Sequence, residues 1–217
     1  KRREVIVDFT KYMDGTPTTK GDVIYLTNVM KMRNGRKPDS ADPDYKVPVM
    51  KIVIGDDAPD NSLIPTALRA VPAFPYGEWK RLLDDRRIFK LERGSATGEP
   101  ATEWLINGRP FDPTVPLAFP KLGSYEVWEI QNGGGGWTHP MHIHQEEHRV
   151  VMRNGKPVPT DPRHIDDYSK EDVIALDPGE SVVICREFRT FVGKYVAHCH
   201  NLAHEDHAMM FGWEIVE

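Results

Sequence analysis

The feature that most limits the fold of this chain is the rhythm of its apolar residues. They come in short, β-branched runs, each cut off by Pro, Gly, Asp or Asn before a helix could establish itself. "REVIVDF" (3–9), "DVIYLTNV" (22–29) and "VPVMKIVIG" (47–55) alternate or run apolar, as half-buried or buried strands do. The pattern resumes with "RRIFKLER" (86–93), "EWLINGRPF" (103–111), "YEVWEIQN" (125–132), "MHIHQEEHRVVM" (141–152), "DVIAL" (172–176), "SVVICREF" (181–188), "KYVAHCH" (194–200) and "MMFGWEIV" (209–216). These last eight runs, separated by turn signals such as "RNGK" and "DPGE", predict an all-β, Greek-key sandwich over 86–217.

Between the two groups the chain carries Pro59, Pro65, Pro72 and Pro75, with only "GEWKRLLDD" (77–85) as a candidate helical turn, so 58–85 reads as a linker. Residues 1–57 supply too few strands to close a sandwich of their own. They are expected to be the C-terminal part of a preceding domain. At 217 residues and 39% hydrophobic, the chain has material for one full core and part of another. Its formal charge of −5 and lack of a basic run give no electrostatic footprint for nucleic acid. No apolar stretch approaches the roughly 20 residues that cross a bilayer as a helix. The opening "KRREVIVDFT" has no apolar signal-peptide core.

All nine His lie at or after position 139, and seven of them fall in two clusters, "HPMHIH" and "HCHNLAHEDHAMM", six of these at metal-ligand spacing. In a strand, alternate side chains share a face, so His142 and His144 project together, as do His198 and His200. His139, just before Pro140, can point elsewhere. Cys199 must face away from its two His neighbours, which separates a thiol site from an imidazole site. His204 and Met209 are close enough in sequence to fold back to the thiol. A Cys, two His and a weak Met thioether make the ligand set of a blue-copper electron-transfer site, here His139, Cys199 and His204 with Met209 axial.

These two motifs resemble the multicopper oxidases, the family of laccases, bilirubin oxidases and spore-coat oxidases. Its pattern, HPxHxH followed by HCHxxxHxxxxM, is matched at every ligand position. "EVIVDF", "FKLERG" and "WLINGRPFD" look more loosely like the end of the family's middle domain and the start of its third. The resemblance implies a cupredoxin-like sandwich at 86–217, preceded by the tail of another cupredoxin domain. It implies about four copper ions in a complete enzyme: type 1 copper on His139, Cys199, His204 and Met209, type 2 on His142, and the type 3 pair on His144, His198 and His200. Electrons from a small reductant would enter at the type 1 side, cross through Cys199 to His198 and His200, and reduce O2 to water. Phenols and aromatic amines are the favoured reductants. Glu205 matches an acid with which bacterial members assist proton delivery. Family members complete the cluster with two HxH motifs from a first cupredoxin domain. This chain has no His before 139, so the remaining imidazoles are expected from an N-terminal region of the same precursor or from a partner chain. A secreted, periplasmic or cell-surface location follows from the resemblance.

Two other readings compete: a metal-ion oxidase for Mn(II) or Cu(I), and a blue-copper module that only carries electrons. The paired His198 and His200 count against the carrier, which has no use for ligands on the far face. The eight Met are scattered rather than clustered, which counts against Cu(I). Several further residues have plain readings. Cys185 in "SVVICREF" is expected to be a buried free thiol. His148, His164 and His207 read as ordinary surface or core residues. Glu146, Glu147 and His148 read as a solvated strand face in preference to a place near the substrate side that would favour a cationic reductant, and Met210 as a core residue on the face opposite Met209. The glycine run 133–136 reads as a turn, because no helix signal follows it to make a phosphate loop.

Overall fold

The computed structural model describes residues 5–31, 36, 41, 46–67, 79–95, 103–133, 135–158 and 169–217. The chain divides into two compact units. Arg3–Arg33 with Pro38–Phe74 form one, and Pro75–Glu217 with Lys1–Arg2 and Asn34–Lys37 form the other.

In the smaller unit, β1 (Val23–Asn28) and β2 (Val47–Val53) pair antiparallel, with a register shift between Leu26 and Thr27. The strand expected over 3–9 does not form among its described residues. Val5–Asp8 carry no regular structure, and Asp8 accepts hydrogen bonds from the backbone and hydroxyl of Thr10, which turns the chain.

The larger unit is a sandwich. One sheet contains β3 (Arg87–Gly94), β4 (Glu103–Ile106), β5 (Tyr125–Asn132), β7 (His148–Arg153), β8 (Lys156–Pro157) and β10 (Ser181–Glu187), in the order β4-β3-β5-β10-β7-β8. The other contains β6 (His139–Ile143), β9 (Val173–Leu176), β11 (Gly193–Cys199) and β12 (Met210–Ile215), in the order β12-β11-β6-β9. All these pairings are antiparallel except β3 with β5. The chain therefore passes repeatedly between the sheets, as a Greek-key sandwich requires. Period-2 patterning explains the core: Phe89 and Leu91, Trp128 and Ile130, Ile184, Met141 and Ile143, and Phe211, Trp213 and Ile215 turn inward and are buried together. Phe89 stacks on Phe211 at 4.2 Å and Trp128 meets Trp213 edge-on at 5.6 Å, joining the two sheets with aromatic contacts.

In the larger unit, three further elements differ from the sequence expectation. The helical turn expected at 77–85 is a 3-10 turn at Trp79–Leu82, with residues 77 and 78 outside the described ones. The run 103–111 stops as a strand at Ile106, because Asn107 and Gly108 take φ of 54° and 71° and turn the chain back so that Ile106 bridges Arg109. The run 141–152 is two strands in different sheets, broken after Ile143 by Gln145 at φ 74°. In the glycine run, Gly135 and Gly136 sit at φ 64° and 92°, in keeping with a turn.

Candidate metal centre

The pairing of β6 with β11 sets the site. Cys199 lies opposite Met141 and His198 opposite His142. Antiparallel partners share a face, so the thiol turns into the sandwich with Met141 and the imidazoles turn out. His139 has the same parity as Met141 and Ile143, and the burial alternation along β6 puts all three inward. The Pro that follows does not redirect it.

Cys199 Sγ lies 3.7 Å from His139 Nδ1 and 3.6 Å from His204 Nδ1, with all three residues buried. His204 comes from α1 (Leu202–Asp206), a single turn that begins three residues after Cys199. Its amide bonds back to Asn201 O, and the amide of Asn201 reaches Cys199 Sγ at 3.4 Å. Met209 is fully buried, and its backbone is hydrogen-bonded to both His204 and Cys199. Met210 is half-buried and lines a cavity of about 200 Å3 with Ile106, Phe111 and Leu117, rather than entering the core. It opens β12, and alternation from buried Phe211 turns it away.

Burial pushes the His139 imidazole down to about 3 and, with help from the charge of Arg93, the His204 imidazole down to about 4. Both rings are neutral and have a lone pair to give. Burial also pushes the Cys199 thiol up to about 12, so only a cation at the site could make it a thiolate at neutral pH. First-row metal bonds of about 2.3 Å to sulfur and about 2.0 Å to imidazole, spread trigonally, hold S and N roughly 3.8 Å apart. The observed separations fit that. The outer Nε2 atoms of His139 and His204 are buried without a hydrogen-bond partner. Trp104 covers both rings, with centroids at 5.1 Å from His139 and 4.2 Å from His204. Half-buried Trp137 lies edge-on to His204 at 5.1 Å, and the Arg93 guanidinium stacks 4.8 Å over Trp104.

On the other face, His142, His144 and His198 bring their ligand atoms within 4.8 Å of one another. His144 Nε2 and His198 Nε2 are 3.1 Å apart, and the His142 and His200 rings stack at 5.1 Å. His142 Nδ1 donates to the backbone carbonyl of Asp172 at 2.9 Å, which leaves Nε2 as its ligand atom. Glu205 Oε2 lies 3.4 Å from Nδ1 of both His198 and His200. One helical step thus sends His204 to the thiol and Glu205 to the imidazoles.

The structure therefore brings together all eight sequence-predicted donors except for Met209, whose thioether is placed only by burial and backbone. Asp172, Trp104, Trp137 and Arg93 carried no sequence signal, since each acts through a long-range contact. The Glu146–Glu147–His148 stretch is not a solvated face. Glu146 is buried against Arg189 at 2.6 Å and His148 is fully buried, while Glu147 is exposed. His207 is exposed, and His164 lies outside the described residues. Cys185 is a buried free thiol, pushed up to about 12 by burial.

A family model described as "Multicopper oxidase" matches residues 85–217. The chain belongs to the multicopper oxidase family. Its curated relatives include a bilirubin oxidase from Albifimbria verrucaria, 36% identical over 97% of this chain and 34% of that protein. A laccase from Haloferax volcanii is 29% identical over 97% of this chain and 33% of that protein. Among solved structures, a multi-copper oxidase from Pediococcus acidilactici aligns with a TM-score of 0.56 at 29% identity, covering 79% of this chain and 34% of that one. The chain spans about a third of the length of these oxidases. Among the described residues, no helix is long and apolar enough to cross a membrane.

Proposed function

We propose that this chain is the copper-bearing C-terminal part of an oxidase that removes electrons singly from a small reductant and passes four of them to O2, forming two waters. One arrangement carries the reading. The buried His139–Cys199–His204 triangle and the His142–His144–His198–His200 group lie on opposite faces of the same strand pair, joined by the peptide bonds either side of Cys199. An electron carrier needs only the first.

His139, Cys199, His204 and Met209 would hold type 1 copper, His142 would hold type 2, and His144, His198 and His200 the type 3 pair. Copper bound there supplies one-electron acceptance on the thiol side and dioxygen reduction on the imidazole side. The protein's own groups do the rest. Trp104 excludes water from both type 1 imidazoles, which narrows the approach of a reductant to the Trp137 and His204 edge. The Asp172 carbonyl keeps the His142 proton on Nδ1. Glu205, with 29% of its side chain exposed, keeps Oε2 buried against two imidazoles, so the carboxyl group can take up a proton from its solvent side and hold it toward them. The imidazole group offers four of the eight His that such a cluster needs. The others would come from an N-terminal cupredoxin domain, in the same precursor or in a separate chain. A secreted, periplasmic or cell-surface setting goes with the family. Arg93 beside the entry edge supports neutral or anionic aromatic reductants, phenols and aromatic amines among them, over Mn(II) or Cu(I) cations, which it would repel.

The test is intact mass, copper count and oxygen uptake on the native full-length protein. About four coppers, with one O2 consumed per four electrons, is the expected result. A single copper and no oxygen uptake would make it an electron carrier.

A further inference from the structure

The strand expected over 141–152 is broken by a turn that no glycine supports. Gln145 sits at φ 74°, and the Glu146 amide donates to His144 O at 3.1 Å, two residues back. This is a γ-turn of the rare, positive-φ kind, disfavoured for a residue with a side chain. It begins at His144, whose imidazole meets His198 at 3.1 Å.

What opposes the strain is Arg186. Its side chain is fully buried, and Nη2 donates to His144 O at 2.8 Å and Glu146 O at 2.7 Å, the two carbonyls either side of Gln145. Strand register puts it there, because Arg186 pairs with His148, the first residue of β7, two positions after the turn. The guanidinium is enclosed by aromatic rings, with Trp213 at 4.9 Å, Phe188 at 5.0 Å and Trp128 at 5.3 Å from Cζ. The carboxylates whose charge reaches it, Glu146 and Glu126, are hydrogen-bonded to Arg189 and Arg87. A buried charge spent on two backbone carbonyls is a costly arrangement, and an apolar side chain would serve a core better. The same segment secures the turn from outside: Arg189 binds the Glu146 carboxylate, and the Gln145 side-chain Nε2 donates to the Thr190 hydroxyl.

We propose that Arg186 is a positioning residue for His144, clamping the strained His144–Gln145–Glu146 turn so that the imidazole is held toward His198. That His144 is a copper ligand rests on the function proposed above, whereas the clamp itself does not. A lysine keeps the charge, but its ammonium ends on a shorter side chain and lacks the planar guanidinium that packs among the three rings, so it would not be held at both carbonyls.

The experiment uses the full-length protein with Arg186→Lys, alone and combined with Gln145→Gly. In the metal-free protein, R186K should speed hydrogen exchange at the Glu146 amide by about tenfold or more. In the copper-loaded protein it should lower copper retained on the imidazole side while leaving the thiolate absorption at about 600 nm. Adding Q145G should restore both, since glycine takes positive φ without steric cost. Unchanged exchange and copper in R186K, or losses that Q145G does not restore, would overturn the proposal. If R186K does not fold, Gln145→Val with Arg186 intact decides: it should weaken imidazole-side copper through added strain, and unaltered copper overturns the clamp. A parent protein that binds no copper would refute the functional reading, with the exchange comparison still judging Arg186.

Discussion

The Nε2 atoms of His144 and His198 lie 3.1 Å apart although 54 residues separate them. His198 reaches that position from β11, directly beside Cys199, whose thiol faces the other way to meet His139 and His204. Substitutions on either face should therefore have separable effects.

Cys199→Ser should abolish the absorption expected at about 600 nm from a copper–thiolate bond, while His142→Ala should keep that colour and lose oxygen uptake. Visible spectra and an oxygen electrode on the full-length protein check both. A coloured C199S or an active H142A would refute the corresponding ligand.

Glu205→Gln preserves the shape of the side chain facing His198 and His200 but cannot hold a transferable proton. Turnover should fall by about 10²-fold or more, in the range of a lost general acid, with copper content and colour intact. Steady-state oxygen uptake at saturating reductant is the measurement, and wild-type turnover would remove Glu205 from the proton path.

Trp104 is 3% exposed and covers His139 and His204. Its replacement by Ala should cost about 3–5 kcal/mol in a denaturant titration of the metal-free protein. It should also admit water to the type 1 pocket, seen as a shift of the visible band. A loss below about 1 kcal/mol would mean that the indole is not part of the packed core.

Arg93 stacks over Trp104 at the edge where a reductant would approach His204. Arg93→Ala should raise KM for an anionic phenol about two- to fivefold relative to a neutral one, the size of an exposed ion pair of about 0.5–1 kcal/mol. Equal KM changes for both substrates would show that the guanidinium acts on packing rather than charge.

The facing of the candidate metal ligands was readable from spacing because strand alternation is a local rule. It separates Cys199 from His198 and His200 whatever the rest of the chain does, and it pairs His142 with His144. The same rule, applied through Pro140, also gives the inward side of His139, which the sequence reading left open. Proline is tolerated in a strand where no ladder donor is required of it. Glycine and Asx positions marked several turns, but the break at Gln145 has no such marker, so 141–152 read as one strand.

The sequence by itself determined an all-β sandwich, the separation of thiol from imidazoles and the family, because each follows from residue type and short-range periodicity. Only the tertiary structure decided what holds those donors: the Asp172 carbonyl behind His142, the Trp104 cover and the Arg186 clamp. These contacts join residues 30 or more positions apart, such as His142 with Asp172 and Glu146 with Arg186. They depend on which strands become neighbours and in what register. Periodicity fixes the face a side chain points from, but only packing of the two sheets fixes what it meets.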